Sequence, residues 1–345
     1  MRYLVLGIPG LAPLIAEEVG GDLSGNDGRA DVVVVERPGR VFRTRLGEDV
    51  LVEITNVATR RPLPSLVTEI APALCASPME KALSVWAAWR RPLAARMTYR
   101  VVARLLSEDT FLRTELRDAL TREISRARPA WRNSDPADLE VWALEDRPGR
   151  LRIGLRLTTG ELRSHGGRVE EREAALRPTL AAALVHLAGK ARGTLVDPCC
   201  GSGTILAEAA AAGWAAVGGD VAPDAVTAAR HNLGAARWLW VGDATRLPIG
   251  DGTVGAVVSN LPFGEQHKLP ERAGPWFRSV LSEAARVTNG GPVVILAPRS
   301  RELEGAIAAS EMDLDRAFDV RLLGRRATAF LLGSESRGEG QVAQP

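Results

Sequence analysis

Short apolar runs alternate with longer mixed stretches through the second half of the chain. GTLVDP (193–198) is a β-branched run closed by a turn signal, and residues 204–212 are Ala-rich and helical. AAVGGD (215–220) reads as a strand ending in an acid. Residues 223–233 read as a helix with proline in its first turn. WLWVGDA (238–244), VGAVVSN (254–260) and GPVVILAP (291–298) are further strands, with helices predicted over 275–288 and 300–310. FDVRLLG and TAFLLG, joined by Arg325 and Arg326, close the series as a hairpin. Strand and helix in alternation mean a doubly wound α/β sheet. The expectation is seven strands, mostly parallel, with one antiparallel strand at the edge.

The first half has a different rhythm. A strand and helix (1–20) precede a Gly/Asp loop (20–31), and DVVVVE and VLVEITNVAT are strands. A Trp-bearing helical stretch covers 76–91, MTYRVVARLL (97–106) is a strand and 111–127 is a helix. ADLEVWALE (137–145) and RLRIGLRLT (150–158) pair as a hairpin. This pattern predicts a separate α+β domain over 1–160. A polar, Gly-bearing linker over 161–180 joins it to the second domain at 181–333, and a polar tail at 334–345 is expected to be disordered.

Composition adds little until the basic residues are sorted. A net charge of +2 favours no partner, but 41 of the 44 basic residues are arginine. Arginine suits planar, bidentate contacts to phosphate and guanine, and coding bias is the plainer explanation. The three cysteines give no disulfide framework, which points to a reducing cytoplasm. The N-terminal apolar stretch is broken by Pro9, Gly10 and Pro13 and reads as strand, turn and helix rather than a signal peptide. No run approaches the about 18 apolar residues of a membrane span.

Candidate chemistry concentrates in DPCCGSGTILAEAA (197–210). Cys199 and Cys200 lack a CxxC partner and the four histidines are scattered, so a metal or redox centre is not expected. A P-loop requires a lysine that GSGT lacks, and the third glycine of a dinucleotide fingerprint is Leu206 here. What remains is a strand ending in Asp197, a tight turn with Gly201 and Gly203, and a second strand ending in Asp220. An acid at that place accepts hydrogen bonds from ribose hydroxyls. Asp243 follows the third strand. A nucleoside without phosphate suits this set, and S-adenosylmethionine combines ribose and adenine with a cationic tail that the acids tolerate. The candidate cofactor residues are Asp197, Pro198, Cys200, Gly201, Ser202, Gly203, Thr204, Asp220, Val221, Asp243, Ala244 and Asn260.

The fourth strand runs into SNLPFGEQ (259–266). Asn-Leu-Pro-Phe resembles the N/D-P-P-Y/F motif of methyltransferases that act on amino groups attached to planar rings. DPCCGSGT is similar to the DPFCGSGT motif of the same enzymes, with Cys199 in place of the aromatic residue. The resemblance implies a Rossmann-like class I methyltransferase domain with S-adenosylmethionine as cofactor. The chemistry is readable from the residues. An exocyclic amine on a base is a poor nucleophile because its lone pair is delocalised into the ring. Acceptors on both N–H groups and an aromatic face on the base draw that nitrogen towards sp³. Asn260 and the Leu261 carbonyl are the expected acceptors. Pro262 stiffens the loop, and Phe263 offers the stacking face.

Residues 90–132 hold eleven arginines and five acids, with Tyr99, Phe111 and Trp131 interleaved. A phosphate-tracking surface and a solvated helix face both fit that pattern. The stretch 98–144 resembles the THUMP domain of RNA-modifying enzymes. IPGLAPLIAEEV (8–19) is similar to the ferredoxin-like segment that precedes THUMP, and the linker resembles the passage into their methyltransferase domain. The family resembled is that of THUMP-domain, tRNA guanine-N2 methyltransferases. It implies N2-methylation of a guanosine near position 6 in the tRNA acceptor stem, with THUMP holding the tRNA 3′ end. Arg100, Arg104, Arg113, Arg117, Arg168 and Arg177 are the expected RNA contacts. Ribosomal RNA is the alternative substrate. A non-catalytic RNA-binding protein with a relic fold is the alternative class, and it predicts damage in NLPF or the Gly-Ser-Gly turn, both of which are intact.

Overall fold

The computed structural model describes residues 1–165, 176–234, 238–262, 273–288, 290–322 and 325–333. The chain divides into two compact units, Met1–Arg163 and Ser164–Pro345. In the first, β1 (Tyr3–Gly7), β2 (Asp22–Asn26), β3 (Asp31–Val35), β4 (Gly47–Ala58), β5 (Thr98–Arg104), β6 (Arg132–Asn133), β7 (Leu139–Arg147) and β8 (Arg150–Arg156) form one sheet. Their order is β2-β3-β1-β4-β8-β7-β5-β6. Helices α1 (Ala12–Val19), α2 (Leu63–Cys75), α3 (Ser77–Trp89) and α4 (Arg113–Ala127) pack on it. Each helix buries one stripe. Leu66, Ile70 and Leu74 of α2, and Leu116, Leu120 and Ile124 of α4, recur at helical spacing and are buried.

Two elements here depart from the sequence expectation. The loop at 20–31 contains β2, whose polar residues pair with β3 through a register shift between Leu23 and Gly25. An edge strand has one half-solvated side, so it need not be apolar. Helix α2 begins in a proline-bearing stretch to which the sequence pattern assigns no element. Pro62 precedes the helix and Pro64 lies in its first turn, where no backbone N–H has an intrahelical acceptor.

The sheet curls until β2 meets β7. Ser24 Oγ lies 2.6 Å from Asp146 Oδ2, and Arg150 Nη2 donates to the Ser24 carbonyl at 3.0 Å. Leu4, Leu6, Val32, Leu51, Trp142 and Leu144 form a small core within this unit. Charges border it in pairs. Arg104 Nη1 lies 2.8 Å from the fully buried Asp27 and its guanidinium lies 4.2 Å from the centre of the Trp142 ring. Arg152 bridges Asp146 and Glu53, and Arg156 bridges Asp49 and Glu140. A buried ion costs several kcal/mol unless partnered, so each guanidinium here is fixed by a carboxylate.

The second unit is a seven-stranded sheet sandwiched between helices. α5 (Glu161–Ser164) lies at the boundary, and α6 (Pro178–Leu187) leads into β9 (Thr194–Asp197), α7 (Thr204–Ala211), β10 (Ala215–Asp220), α8 (Pro223–Leu233) and β11 (Leu239–Val241). Then come β12 (Ala256–Asn260), α9 (Ala273–Thr288), β13 (Val293–Ala297), α10 (Arg301–Ala308), β14 (Asp313–Leu322) and β15 (Arg325–Gly333). The order is β11-β10-β9-β12-β13-β15-β14. Val196, Val257, Val293 and Ile295 pack with α9 and α10, and the alternate residues Leu195, Val258, Val294 and Leu296 are also buried. Burial on both faces explains the continuous apolar runs.

The antiparallel strand is not at the edge. β15 inserts between β13 and β14 and is antiparallel to both, which leaves β14 outermost. The reason lies in burial: AFLL in β15 is apolar enough for an interior position, whereas DLDRAFDV in β14 alternates charge as an exposed edge does. The expected linker at 161–180 is also shorter than predicted, because α6 already starts at Pro178. Pro178 has the φ a first helical turn requires, and the run that follows buries almost every side chain. Residues 166–175, with Arg168, and the expected tail at 334–345 lie outside the described residues.

The pairing of Asp27 with Arg104 gives a direct stability test. Asp27→Asn keeps the shape and strands a partly buried guanidinium. It should destabilise the first unit by about 3 kcal/mol in urea unfolding.

Candidate active site

Strands β9, β10 and β11 run outward from the centre of the sheet, and the chain then returns to place β12 on the other side of β9. This reversal is a topological switch point, and it opens a crevice at the carboxyl ends of β9 and β12. Asp197 ends β9, Asp220 ends β10 and Asn260 ends β12. Val221 follows β10 and is exposed, as is Val241 at the end of β11. The residues singled out at the four strand ends are therefore gathered at one rim.

The turn after β9 is pinned from two directions. Cys200 N–H donates to the Gly219 carbonyl at 2.9 Å, and Gly201 N–H donates to Asp220 Oδ2 at 2.9 Å. Asp220 Oδ1 accepts from Ala222 N–H at 3.0 Å. Asp220 thus shapes the turn and keeps lone pairs for further donors, since a carboxylate has about four acceptor sites. The two glycines differ. Gly203 has φ +85, and a Cβ there would lie 2.8 Å from Leu233 Cδ1. Gly201 has φ +51, and a Cβ there would meet nothing within 4 Å. The first glycine lets the helix pack, and the second leaves room for a ligand against the backbone.

Asp197 is buried. Its Oδ1 accepts from Ser259 Oγ at 2.7 Å and from Cys199 N–H at 3.1 Å. Burial pushes its carboxyl up to about 7, against the lowering effect of those two hydrogen bonds and with a smaller push from Asp220. Ser259 was not among the residues singled out. Its signal was a lone hydroxyl in the otherwise apolar run AVVS. Burial also holds the Cys199 and Cys200 thiols far above their ordinary range, with the negative Asp197 and Asp220 reinforcing it. Neither suits thiolate chemistry.

Other expected cofactor residues sit as follows. Pro198, Cys200, Ser202 and Thr204 are buried in and after the turn, and Ser202 offers its carbonyl to Asn232 Nδ2 at 3.0 Å. Asp243 is exposed and caps Thr245 N–H at 2.9 Å. Ala244 packs in the hydrophobic core.

Asn260 is the most informative residue. Its Oδ1 is buried and has no hydrogen-bond partner among the described residues. A buried acceptor left unsatisfied costs about 1–3 kcal/mol and calls for an explanation. Leu261 is buried, and its N–H donates to the Leu296 carbonyl at 3.0 Å, which fixes the backbone just beyond β12. Pro262 is half-buried. Phe263 lies outside the described residues.

The arginines expected to touch RNA divide in two. Arg100 pairs with Asp135 and Glu140, and Arg104 is engaged by Asp27 and Trp142. Arg113 and Arg117 are exposed on α4, near Glu108 and Asp118 respectively, and Arg177 is exposed ahead of α6. Among the described residues no three His, Cys, Asp or Glu side chains gather as a metal site. No described helix is long and apolar enough to cross a membrane.

The sheet order and the occupied strand ends are those of a class I, S-adenosylmethionine-dependent methyltransferase. Residues 165–328 match the family model UPF0020, the RMKL-like methyltransferase domain. The U6 snRNA (guanine-N(2))-methyltransferase THUMPD2 of Bos taurus is 37% identical over 149 residues, which are 40% of this chain and 29% of that protein. The tRNA (guanine(10)-N2)-dimethyltransferase of Methanothermobacter thermautotrophicus is 32% identical over 153 residues, 42% of this chain and 43% of that one. These matches span less than half of either relative. Across nearly the whole chain the fold is also that of TrmN from Thermus thermophilus, with TM-score 0.77, 23% identity and 97% and 100% of the two chains covered. Through its second unit the chain is similar to the RMKL-like methyltransferase domain and to these guanine-N2 RNA methyltransferases.

The cofactor fits this rim on two counts: open space over Gly201 and acids that tolerate a cationic ligand. Asp197 also gives the unliganded protein a distinct pH response. Its folded value lies above the ordinary 3.8, so its contribution is complete below about pH 4 and is lost as pH rises through about 7. Between those values the slope is at most about 1.4 kcal/mol per pH unit. Urea midpoints of the protein and of Asp197→Asn from pH 5 to 8 should show the wild type losing stability relative to the variant. A constant difference would contradict the assignment.

Proposed function

We propose that the protein transfers a methyl group from S-adenosylmethionine to the exocyclic N2 amine of a guanosine in tRNA, in the acceptor stem near position 6. The observation that carries this reading is the buried Oδ1 of Asn260 at the end of β12, which has no partner among the described residues. An amine N–H is the donor it lacks. The Leu261 carbonyl is the natural second acceptor, and Phe263 is assigned the face on which the base stacks. S-adenosylmethionine supplies an activated methyl group when bound. Asp220 and the turn at Gly201 and Gly203 would hold its nucleoside, with Val221 and Val241 as apolar walls. Asp197 and Asp243 would favour its cationic end.

The residues around the amine orient it and need not strip a proton beforehand. Two acceptors on its N–H groups localise the lone pair, and a rigid backbone at Leu261 and Pro262 fixes the direction of approach. The proton is lost to solvent once the new N–C bond has made the nitrogen acidic.

The first unit would supply the grip on RNA, as a ferredoxin-like segment followed by a THUMP domain within 1–160. The named relatives are guanine-N2 methyltransferases of tRNA and of U6 snRNA, which supports RNA as the substrate class. A cytoplasmic site of action is in keeping with a tRNA substrate.

The test is methyl transfer from labelled S-adenosylmethionine to total tRNA, rRNA and U6 snRNA, followed by nucleoside analysis. N2-methylguanosine in tRNA is the expected result. The same nucleoside in another RNA would keep the chemistry and replace the substrate. Label on an adenine amine, or on no RNA, would contradict the reading.

A further inference from the structure

Phe42 and Trp89 stack with ring centroids 4.2 Å apart and planes 22° apart. Phe42 comes from the loop between β3 and β4, and Trp89 is the last residue of α3. Tyr3 meets Phe42 edge-on at 5.7 Å and anchors it to the sheet. Although stacked, Trp89 stays 42% exposed. A fixed indole that is still open to solvent is a ready surface for another flat ring.

The charges beside it point to what that ring belongs to. The loop carrying Phe42 reads RPGRVFRTR (37–45). Arg37, Arg40 and Arg43 are exposed, and among the described residues none of the three has an acidic partner. Arg40 reaches only the Glu18 backbone carbonyl, at 3.5 Å. The neighbouring acid Glu36 is taken up by Arg2 at 3.0 Å. In the interior of this unit Arg104, Arg152 and Arg156 are each matched to carboxylates. Arg37, Arg40 and Arg43 share the loop that carries Phe42 and all lie within five residues of it in sequence. Arg90 and Arg91 follow Trp89 directly but are paired with Glu161 and Asp138, in a cleft of about 360 Å³ that Trp86 also lines.

Duplex RNA buries its base faces, so an exposed indole gains nothing from it. An apolar protein or lipid partner would leave the arginines without counter-charges. A single strand offers both a free base face and a regular row of phosphates.

We propose that the Phe42–Trp89 stack, with Arg37, Arg40 and Arg43, is a docking platform for an unpaired RNA strand. One base stacks on Trp89 and its flanking phosphates lie on the arginines. This rests on the reading of the chain as an RNA methyltransferase, and it adds a contact outside the arginines of 90–132.

The test uses the full chain with a fluorescent single-stranded RNA octanucleotide and a blunt RNA duplex as probes. Trp89→Ala should weaken single-strand binding by about tenfold, while Trp89→Phe, which keeps a stacking face, stays within about twofold of wild type. Arg43→Ala should lower the salt dependence of binding by about one unit of slope. Affinity for S-adenosylmethionine and for the blunt duplex should not change in any of them. If Trp89→Ala binds the single strand as wild type does, the platform is wrong while the RNA reading stands. If the wild type binds neither RNA and methylates none, or binds only an acidic peptide, both fall. Should Trp89→Ala unfold, Trp89→Phe and Arg43→Ala decide the matter by the same criteria.

Discussion

A carboxyl group buried at the centre of a parallel sheet needs donors, and Asp197 takes them from two places at once. Ser259 Oγ reaches it from β12, and Cys199 N–H reaches it from the turn that follows β9. One oxygen atom therefore joins the turn assigned to the cofactor to the strand that presents Asn260. On the proposed assignment, the spacing between methyl donor and acceptor amine would depend on that junction. Asp220 repeats the device one strand further out by holding Gly201 and Ala222. Both acids first shape the pocket, and whatever they contribute to a ligand builds on that framework.

The first unit solves a different problem with similar means. Its sheet curls so far that β2 crosses to β7, and the small interior is bordered by paired charges around Trp142. Such pairs add little net stability, but they penalise any arrangement that separates them. They also sort the arginines by duty. Arg104, Arg152 and Arg156 hold the unit together, whereas Arg37, Arg40 and Arg43 remain open to solvent beside an aromatic stack. Arginine-rich composition thus has at least two physical causes in one domain.

The methyltransferase half was legible because its signals are local and repeated. Apolar runs buried on both faces end in Asp197, Asp220 and Asn260, and the period changes cleanly from strand to helix. What escaped depends on tertiary context. β2 is polar because it lies at an edge, and α2 hides behind three prolines. β15 is inserted inside β14, although a hairpin in sequence does not say which arm is outermost. Ser259 lies in an apolar strand run, and only its hydrogen bond to Asp197 gives its hydroxyl a role. Arg104 lies in a basic stretch, yet Asp27 fixes it from a loop 77 residues away.

The central claim is that the free acceptor on Asn260 receives the amine of a guanine. Single-turnover methyl transfer by Asn260→Ala, measured beside its affinity for S-adenosylmethionine, tests that most directly. The account predicts a rate lowered by about 10²–10³, as for loss of one preorganised hydrogen-bonding group, with cofactor affinity nearly unchanged. An unaltered rate, or a loss confined to cofactor binding, would contradict it.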